Sequence, residues 1–322
     1  MDTNEQSRLA QRITELTGWE TGKISLVTDT SDCMRIQRGD IVRIEGIDLL
    51  IKGNRYETRF GIEHQPKYWV FGAIDMKTNE HKILKTVFYE EFNVHIGVFK
   101  IHCYRSPQKE ADVLQLVNGD MRFMQGYTLF DSSGNNVRVI DFIRGKSLFN
   151  HVYELDNSHE QYFHEDLPSI LHKLTDCLEA IALLHQHDTC HGDIRNDHIL
   201  IDSSTGQYRW IDFDLNQNVA DFDVWSIGNI ISYAVGKGIN SFANVLRNKK
   251  FSDEVKSSLT GDDASAFYEY RIMNLKKLFP YIPPKLDRVL NHFVAHPTET
   301  YSSMEKLIED YVDMLETEFT GS

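Results

Sequence analysis

Hydrophobic positions repeat with two different periods along the chain, and the change of texture falls near Phe142–Gly145. Leu9, Ile13 and Leu16 stand at helical spacing and predict a short helix over 5–17. Residues 18–40 are polar and irregular. From about Asp40 the runs 41–44, 59–62, 68–71 and 83–88 are short and rich in β-branched and aromatic residues. Turn signals at Lys52-Gly53-Asn54 and Met76-Lys77-Thr78-Asn79-Glu80 separate them, which predicts a β-rich region. A helix is expected over 107–117. Two strands follow near 123–130 and 137–142, joined by Asp131-Ser132-Ser133-Gly134-Asn135.

Beyond Gly145 the pattern is mostly helical. Ile170, Leu171, Leu174, Cys177, Leu178, Ile181 and Leu184 form one apolar stripe over 167–187. Strands at 198–202 and 208–212 bracket the turn Ser203-Ser204-Thr205-Gly206. Further helices are expected at 223–236, 264–278 and 285–318. There is no internal repeat and no low-complexity segment.

Composition adds limits. The 322 residues are 41% hydrophobic and 25% charged, as in ordinary globular proteins. The net charge of −14 argues against nucleic acid or an anionic membrane as a partner. Cys33, Cys103, Cys177 and Cys190 show neither C-x-x-C nor zinc spacing and read as free thiols of a reducing compartment. The polar N-terminus lacks the apolar centre of a secretory signal. The longest uncharged run, 224–236, is too short to span a bilayer and reads as a buried helix. The expectation is a cytoplasmic protein without a membrane partner.

Chemistry concentrates in three motifs. His191-Gly192-Asp193-Ile194-Arg195-Asn196-Asp197-His198-Ile199-Leu200-Ile201 resembles the H-R-D-x-x-x-x-N catalytic loop of the protein kinase superfamily. Its Gly192 is similar to the H-G-D form of the aminoglycoside phosphotransferases. Arg209-Trp210-Ile211-Asp212-Phe213-Asp214 resembles D-F-G at a strand end, and Asp212 follows Asp193 by 19 positions, close to the family's spacing. Asp223-Val224-Trp225-Ser226-Ile227-Gly228 resembles the D-V-W-S-x-G of Ser/Thr protein kinases. Weaker matches precede them: Lys85 in Lys82-Ile83-Leu84-Lys85, Glu110 in Lys109–Leu114, and a hinge-like Val139–Leu148. His296–Ser303 resembles a run near the kinase C-terminus. Any one of these could arise by chance; their shared order carries the weight.

The resemblance implies an α+β, bilobal protein-kinase-like fold, with an extension over 1–40, a β-rich lobe over 41–142 and a helical lobe over 143–322. It implies ATP with Mg²⁺ or Mn²⁺, and an unidentified acceptor hydroxyl. Asp193 would orient that hydroxyl and take its proton, and Arg195 would spread the charge of the transferred phosphoryl group. Lys85, held by Glu110 as its ion-pair partner, would grip the α- and β-phosphates, with Gly61 approaching them from a glycine loop. Backbone groups at Asp141 and Ile143 would bond adenine. Asp212, with His198 and Asp214, would hold the metal. His191 and Asp223 would be structural.

Five departures shape the activity expected. His198 stands where the family has the Asn that binds the second Mg²⁺, and imidazole suits softer transition metals. Only Gly61 remains of the glycine loop. Ile83 replaces a small residue on the strand face of Lys85. Asp223 follows Asp212 by only 11 positions, which leaves no room for an activation segment. Gly192 and Thr300 replace two Arg whose partners are also missing. Two function classes follow: an atypical phosphotransferase acting on a small molecule or an unusual protein hydroxyl, or a pseudokinase that senses nucleotide or binds a protein partner. A conventional regulated protein kinase is disfavoured.

Overall fold

The computed structural model describes residues 2–20, 24–59, 62–96, 99–217, 219 and 222–319. Gly61 lies outside the described residues. The chain divides into two compact units, one of 1–90 with 105–143 and one of 91–104 with 144–322. The first is β-rich and the second mostly helical, so the fold is α+β and of the bilobal kinase-like kind.

The first unit opens with α1 (Thr3–Thr17), capped by the Asp2 carboxylate on the Glu5 amide at 2.8 Å. Its strands are β1 (Leu26–Val27), β2 (Ile41–Ile44), β3 (Ile47–Arg59), β4 (Ile62–Asp75) and β5 (His81–Lys85). The hairpin strands β6 (Glu91–Ile96) and β7 (Phe99–Arg105) follow in sequence. Then come α2 (Pro107–Leu116), β8 (Gly126–Phe130) and β9 (Asn136–Asp141). Seven strands form one sheet in the order β1-β2-β3-β4-β5-β9-β8. One face buries Val42, Leu49, Ile51, Phe71, Leu84, Val137 and Val139. On the other, Leu9 and Ile13 of α1 pack on Ile41, Leu50, Ile74 and Met76. The polar-looking N-terminal stretch is thus tied to the sheet by an amphipathic helix and an edge strand.

Two expectations change here. Lys52-Gly53-Asn54 is not a turn: β3 runs through it, and the register against β4 shifts between Ile51 and Gly53 and again between Asn54 and Arg55. A glycine inside a strand marked an irregularity rather than an end. The β6–β7 hairpin was not foreseen, although Phe92, Val94 and Ile96 alternate with Glu91, Asn93 and His95 as a half-buried strand does.

The second unit continues with β10 (Gly145–Ser147), α3 (Leu148–Tyr153), α4 (His159–Glu165), α5 (Leu167–Gln186), β11 (Ile199–Asp202), β12 (Tyr208–Trp210) and β13 (Leu215–Gln217). The helices α6 (Phe222–Val235), α7 (Phe242–Arg247), α8 (Asp253–Ser258), α9 (Pro284–Asn291) and α10 (Met304–Glu318) complete it. β10, β11 and β12 form a small antiparallel sheet. The stripe of α5 is buried, and Trp210 donates from Nε1 to the Cys177 carbonyl at 3.0 Å. Gly228 of α6 is a close-approach glycine: a Cβ there would meet the Phe293 ring at 2.3 Å.

Residues 264–278 do not form the expected helix. They hold isolated β-bridges (Ser241 with Arg271, Ala264 with Ile272) and a short 3₁₀ turn. Phe267, Tyr268 and Tyr270 are poor helix formers, and the loop is stapled by buried Asp263, which accepts from Lys277 Nζ at 2.7 Å and Asn274 Nδ2 at 2.9 Å. The single helix expected over 285–318 is two helices, with His296-Pro297 in the break.

Candidate functional site

The first unit holds a buried cluster of three charges. Lys85 ends β5 and sends Nζ to Glu110 Oε1 at 2.6 Å. Glu110 lies in the first turn of α2, capped by Ser106, and is fully buried. Its Oε2 accepts from Arg138 Nε at 3.2 Å, and Arg138 of β9 is itself 1% exposed. Arg138 also donates to the Thr86 and Asn136 carbonyls at 3.1 and 3.0 Å. Arg138 pairs in register with Lys85, so strand pairing puts both cations on one face. Sequence reasoning missed Arg138. A lone Arg amid the apolar residues of a strand was the available signal, since an unpaired buried charge is costly.

That face also carries Ile83, which pairs with Gly72 and Ile140. Ile83 is only partly buried, in contrast to Leu84 in the core. At the end of β9 the Asp141 carboxylate takes a 2.7 Å bond from Lys82 Nζ. The Asp141 amide is used by the Gln125 carbonyl at 2.8 Å. Ile143 follows it as the last residue of this unit.

In the second unit the loop 191–198 is anchored from below. Asp223, at the start of α6 and 1% exposed, accepts from the His191 and Gly192 amides at 2.7 and 2.9 Å. His185 Nε2 lies 3.1 Å from the same carboxylate. Burial alone would raise the Asp223 carboxyl. The His185 bond, the neighbouring His191 and the Gly192 amide outweigh it and hold the group below the usual carboxylate range. Gly192 has φ +83°, a left-handed conformation that glycine adopts freely and Arg does not. His191 is fully buried against Trp210 and Phe213, and its Nδ1 accepts from the Asp193 amide at 3.3 Å.

Asp193 and Asp212 are brought to either side of His198. The His198 ring is nearly buried, and Nδ1 bonds the Asp193 carbonyl at 2.8 Å with the Asp193 carboxylate at 3.7 Å. Because the carbonyl can only accept, Nδ1 is the donor. Nε2 is thereby turned to Asp212 Oδ2, 3.6 Å away. Asp212 has φ +66°, a strained position that Asp tolerates better than most residues. Phe213 and Asp214 are buried behind it.

Arg195 is already engaged. Its Nε and Nη2 grip both oxygens of Asp197 at 2.9 and 2.6 Å. Burial disfavours its charge, but the charges of Asp197, Asp193 and Asp212 hold its pKa above the ordinary value. Asp197 was absent from the expected site, and its carboxylate is what holds Arg195.

Among the described residues no three His, Cys, Asp or Glu side chains are placed to hold a metal ion by themselves. None of the four cysteines forms a disulfide. No described helix is long and apolar enough to cross a membrane.

Comparison with known proteins places these features in context. No family profile matches the chain. It is 21% identical over 228 residues to serine/threonine-protein kinase 17A of Oryctolagus cuniculus, covering 61% of this chain and 55% of that protein. It is 26% identical over 175 residues to myosin light chain kinase 3 of Rattus norvegicus (45% of this chain, 21% of that protein). The protein of the same name from Danio rerio matches at 26% over 163 residues (42% and 22%). The chain thus spans about half the length of the first relative and about a fifth of the others. The chain is distantly similar to Ser/Thr protein kinases, a kinase-like relationship.

Proposed function

We propose that the protein is an ATP-dependent phosphotransferase of atypical kinase type, cytoplasmic, lacking an activation segment. Its acceptor would be a hydroxyl on a small molecule or an unusual protein. The observation that carries this reading is the Lys85–Glu110 ion pair at 2.6 Å. A buried pair is a weak device for stability, since desolvation offsets most of its attraction. Its value lies in holding an ammonium group in one place for phosphate oxygens.

The donor set fits a divalent ion bound together with phosphates. Asp212 supplies a hard carboxylate oxygen and His198 Nε2 a nitrogen, a mixed pair that favours Mn²⁺ more than an all-oxygen set does. Such an ion would supply charge neutralisation on the phosphates. Asp214, buried two positions after Asp212, would be the second carboxylate toward the ion. Asp193 would accept the proton of the acceptor hydroxyl as its oxygen bonds the γ-phosphorus. The bond from that phosphorus to the β–γ bridging oxygen breaks, and ADP leaves with the electron pair. Arg195, neutralised by Asp197, would fix the loop more than it would touch the phosphoryl group. Asp223 would hold the loop amides, and Asp141 and Ile143 would meet adenine through backbone atoms.

The pseudokinase reading keeps one observation: Arg195 is committed to Asp197 rather than free. The two readings separate in one experiment. Purified protein is incubated with labelled ATP and Mg²⁺ or Mn²⁺, beside Asp193→Ala. The enzyme reading expects ATP consumption that falls at least about a hundredfold in the variant. Nucleotide binding without consumption in either protein supports a nucleotide-sensing pseudokinase, and no binding at all removes both nucleotide readings and leaves a protein-interaction module.

A further inference from the structure

We propose that the segment 265–271 forms an anion-recognition site for the acceptor, with Arg271 as its charged contact and Tyr268 as its platform. The acceptor would then carry a phosphate or carboxylate group besides its reacting hydroxyl. This deepens the phosphotransferase reading and rests on it only for the identification of the ligand as an acceptor.

The first ground is that Arg271 is a guanidinium without a carboxylate among the described residues. It lies over the Tyr268 ring at 3.9 Å and near the Tyr270 ring at 5.3 Å, and its Nε bonds the Tyr270 hydroxyl at 3.0 Å. Stacking of this kind fixes the plane of the guanidinium and leaves its other edge to a ligand. Arg195, the cation expected to serve the reaction, is by contrast held by Asp197 through two of its three nitrogens, Nε and Nη2.

The second ground is that the backbone of the segment is rigid. Arg271 donates its amide to the Tyr268 carbonyl at 2.8 Å, and its carbonyl accepts from Ser265 at 2.9 Å. An isolated bridge joins Arg271 to Ser241, and the Ile272 amide bonds the Asn240 carbonyl at 2.8 Å. A recess beside this segment is lined by Asn229, Ser232, Asn240 and Arg271 among others, with Arg271 the only charged residue.

The third ground is location. Phe267, next to Tyr268, packs in the cluster of Ile101, Cys103 and Leu215, and meets Phe222 and Trp225 at 5.8 and 5.5 Å. Leu215 directly follows Asp212-Phe213-Asp214. β7, which pairs with β13 in the order β13-β7-β6, brings Cys103 beside it. Burial pushes the Cys103 thiol up, and the charge of Asp193 pushes it further. Burial likewise raises the Tyr268 phenol, which feels Arg271, Arg195 and Asp193 together. The segment therefore packs against the strand that follows Asp212-Phe213-Asp214 and lies within electrostatic reach of Asp193. An acidic protein of net charge −14 that kept an uncompensated guanidinium there would attract an anion locally.

The test uses the full chain and three probes: glycerol 3-phosphate, glycerate and neutral glycerol. Binding is measured by titration calorimetry or NMR for the wild type, Arg271→Gln and Arg271→Lys, with ATP binding measured on the same samples. The site predicts that one or both anionic probes bind and glycerol does not. Arg271→Gln should weaken the bound anion about tenfold or more, and Arg271→Lys less, because an ammonium keeps charge without the planar fork. Preference for glycerol 3-phosphate over glycerate assigns the phosphate, and the reverse the carboxylate. Equal binding by wild type and Arg271→Gln, or no preference of the wild type for either anion over glycerol, overturns the site. If Arg271→Gln does not fold, Arg271→Lys carries the comparison, and unchanged affinity there overturns it equally. Loss of ATP binding with anion binding intact would instead remove the phosphotransferase reading and leave the anion site standing.

Discussion

Removing the Asp223 carboxylate takes away the acceptor of two buried loop amides. Two backbone amides, at His191 and Gly192, point at this one buried group from 2.7 and 2.9 Å, and His185 adds a third contact at 3.1 Å. In Asp223→Ala both amides remain buried with nothing to accept them. A stranded buried donor costs about 1–3 kcal/mol, so two cost about 2–6 kcal/mol against a typical total of about 5–15 kcal/mol. Asp223→Asn keeps one acceptor oxygen and should lose about half of that. The sign of the pH effect follows from the direction of the shift. The folded-state pKa is depressed, so the contribution is complete above the unfolded carboxylate value and is lost as pH falls through the lower folded value. Urea unfolding followed by the fluorescence of Trp210 and Trp225 measures the loss, and hydrogen exchange at the 191–193 amides localises it. If Asp223→Ala unfolds within about 0.5 kcal/mol of the wild type, the anchoring role of this side chain is refuted.

Other consequences are equally concrete. Glu110→Gln removes the buried carboxylate that Lys85 and Arg138 share, and should destabilise the first unit by about 3–5 kcal/mol in thermal unfolding; a loss under about 1 kcal/mol would contradict the charge cluster. Gly228→Ala drives a methyl into Phe293 and should cost about 1–3 kcal/mol, largely recovered by adding Phe293→Leu; no recovery would point elsewhere. His159 stacks on Phe279 at 3.4 Å, and burial lowers its pKa to about 4. The unfolded chain therefore takes a proton first as pH falls, and stability should drop by about 2–3 kcal/mol between about pH 6.5 and 4. His159→Gln should flatten that slope in unfolding midpoints measured across the range, and an unchanged slope would contradict it.

What was legible in the chain follows a physical division. Elements with strong period were visible: the stripe of α5, the short β-branched strands around Lys85, and the capped start of α2 at Ser106-Pro107. Asp193 and Asp212 were visible because His191-Gly192-Asp193 and Asp212-Phe213-Asp214 resemble kinase motifs in order and spacing. Arg138 was not, because its role depends on cross-strand register with Lys85, which no local pattern encodes. Nor was the pairing of β7 beside β13, made by residues over a hundred positions apart. The loop 264–278 read as helix because its apolar spacing allows it, yet Asp263, Lys277 and Asn274 close it into another shape. The conflict at Arg195 was equally hidden, since Asp197 two positions on is an ordinary acid until its fork of two bonds is seen.

The central claim of the proposed function is that the chain binds ATP together with a divalent metal, with Lys85 proposed for the phosphates and Asp212 for the metal. Equilibrium binding of ATP, measured by calorimetry with and without Mn²⁺, tests it most directly in the wild type, Lys85→Met and Asp212→Asn. The account predicts ATP binding that strengthens with the metal, weakens about tenfold or more in Lys85→Met, and loses its metal dependence in Asp212→Asn. Binding that is absent from the wild type, or indifferent to both substitutions, would contradict it.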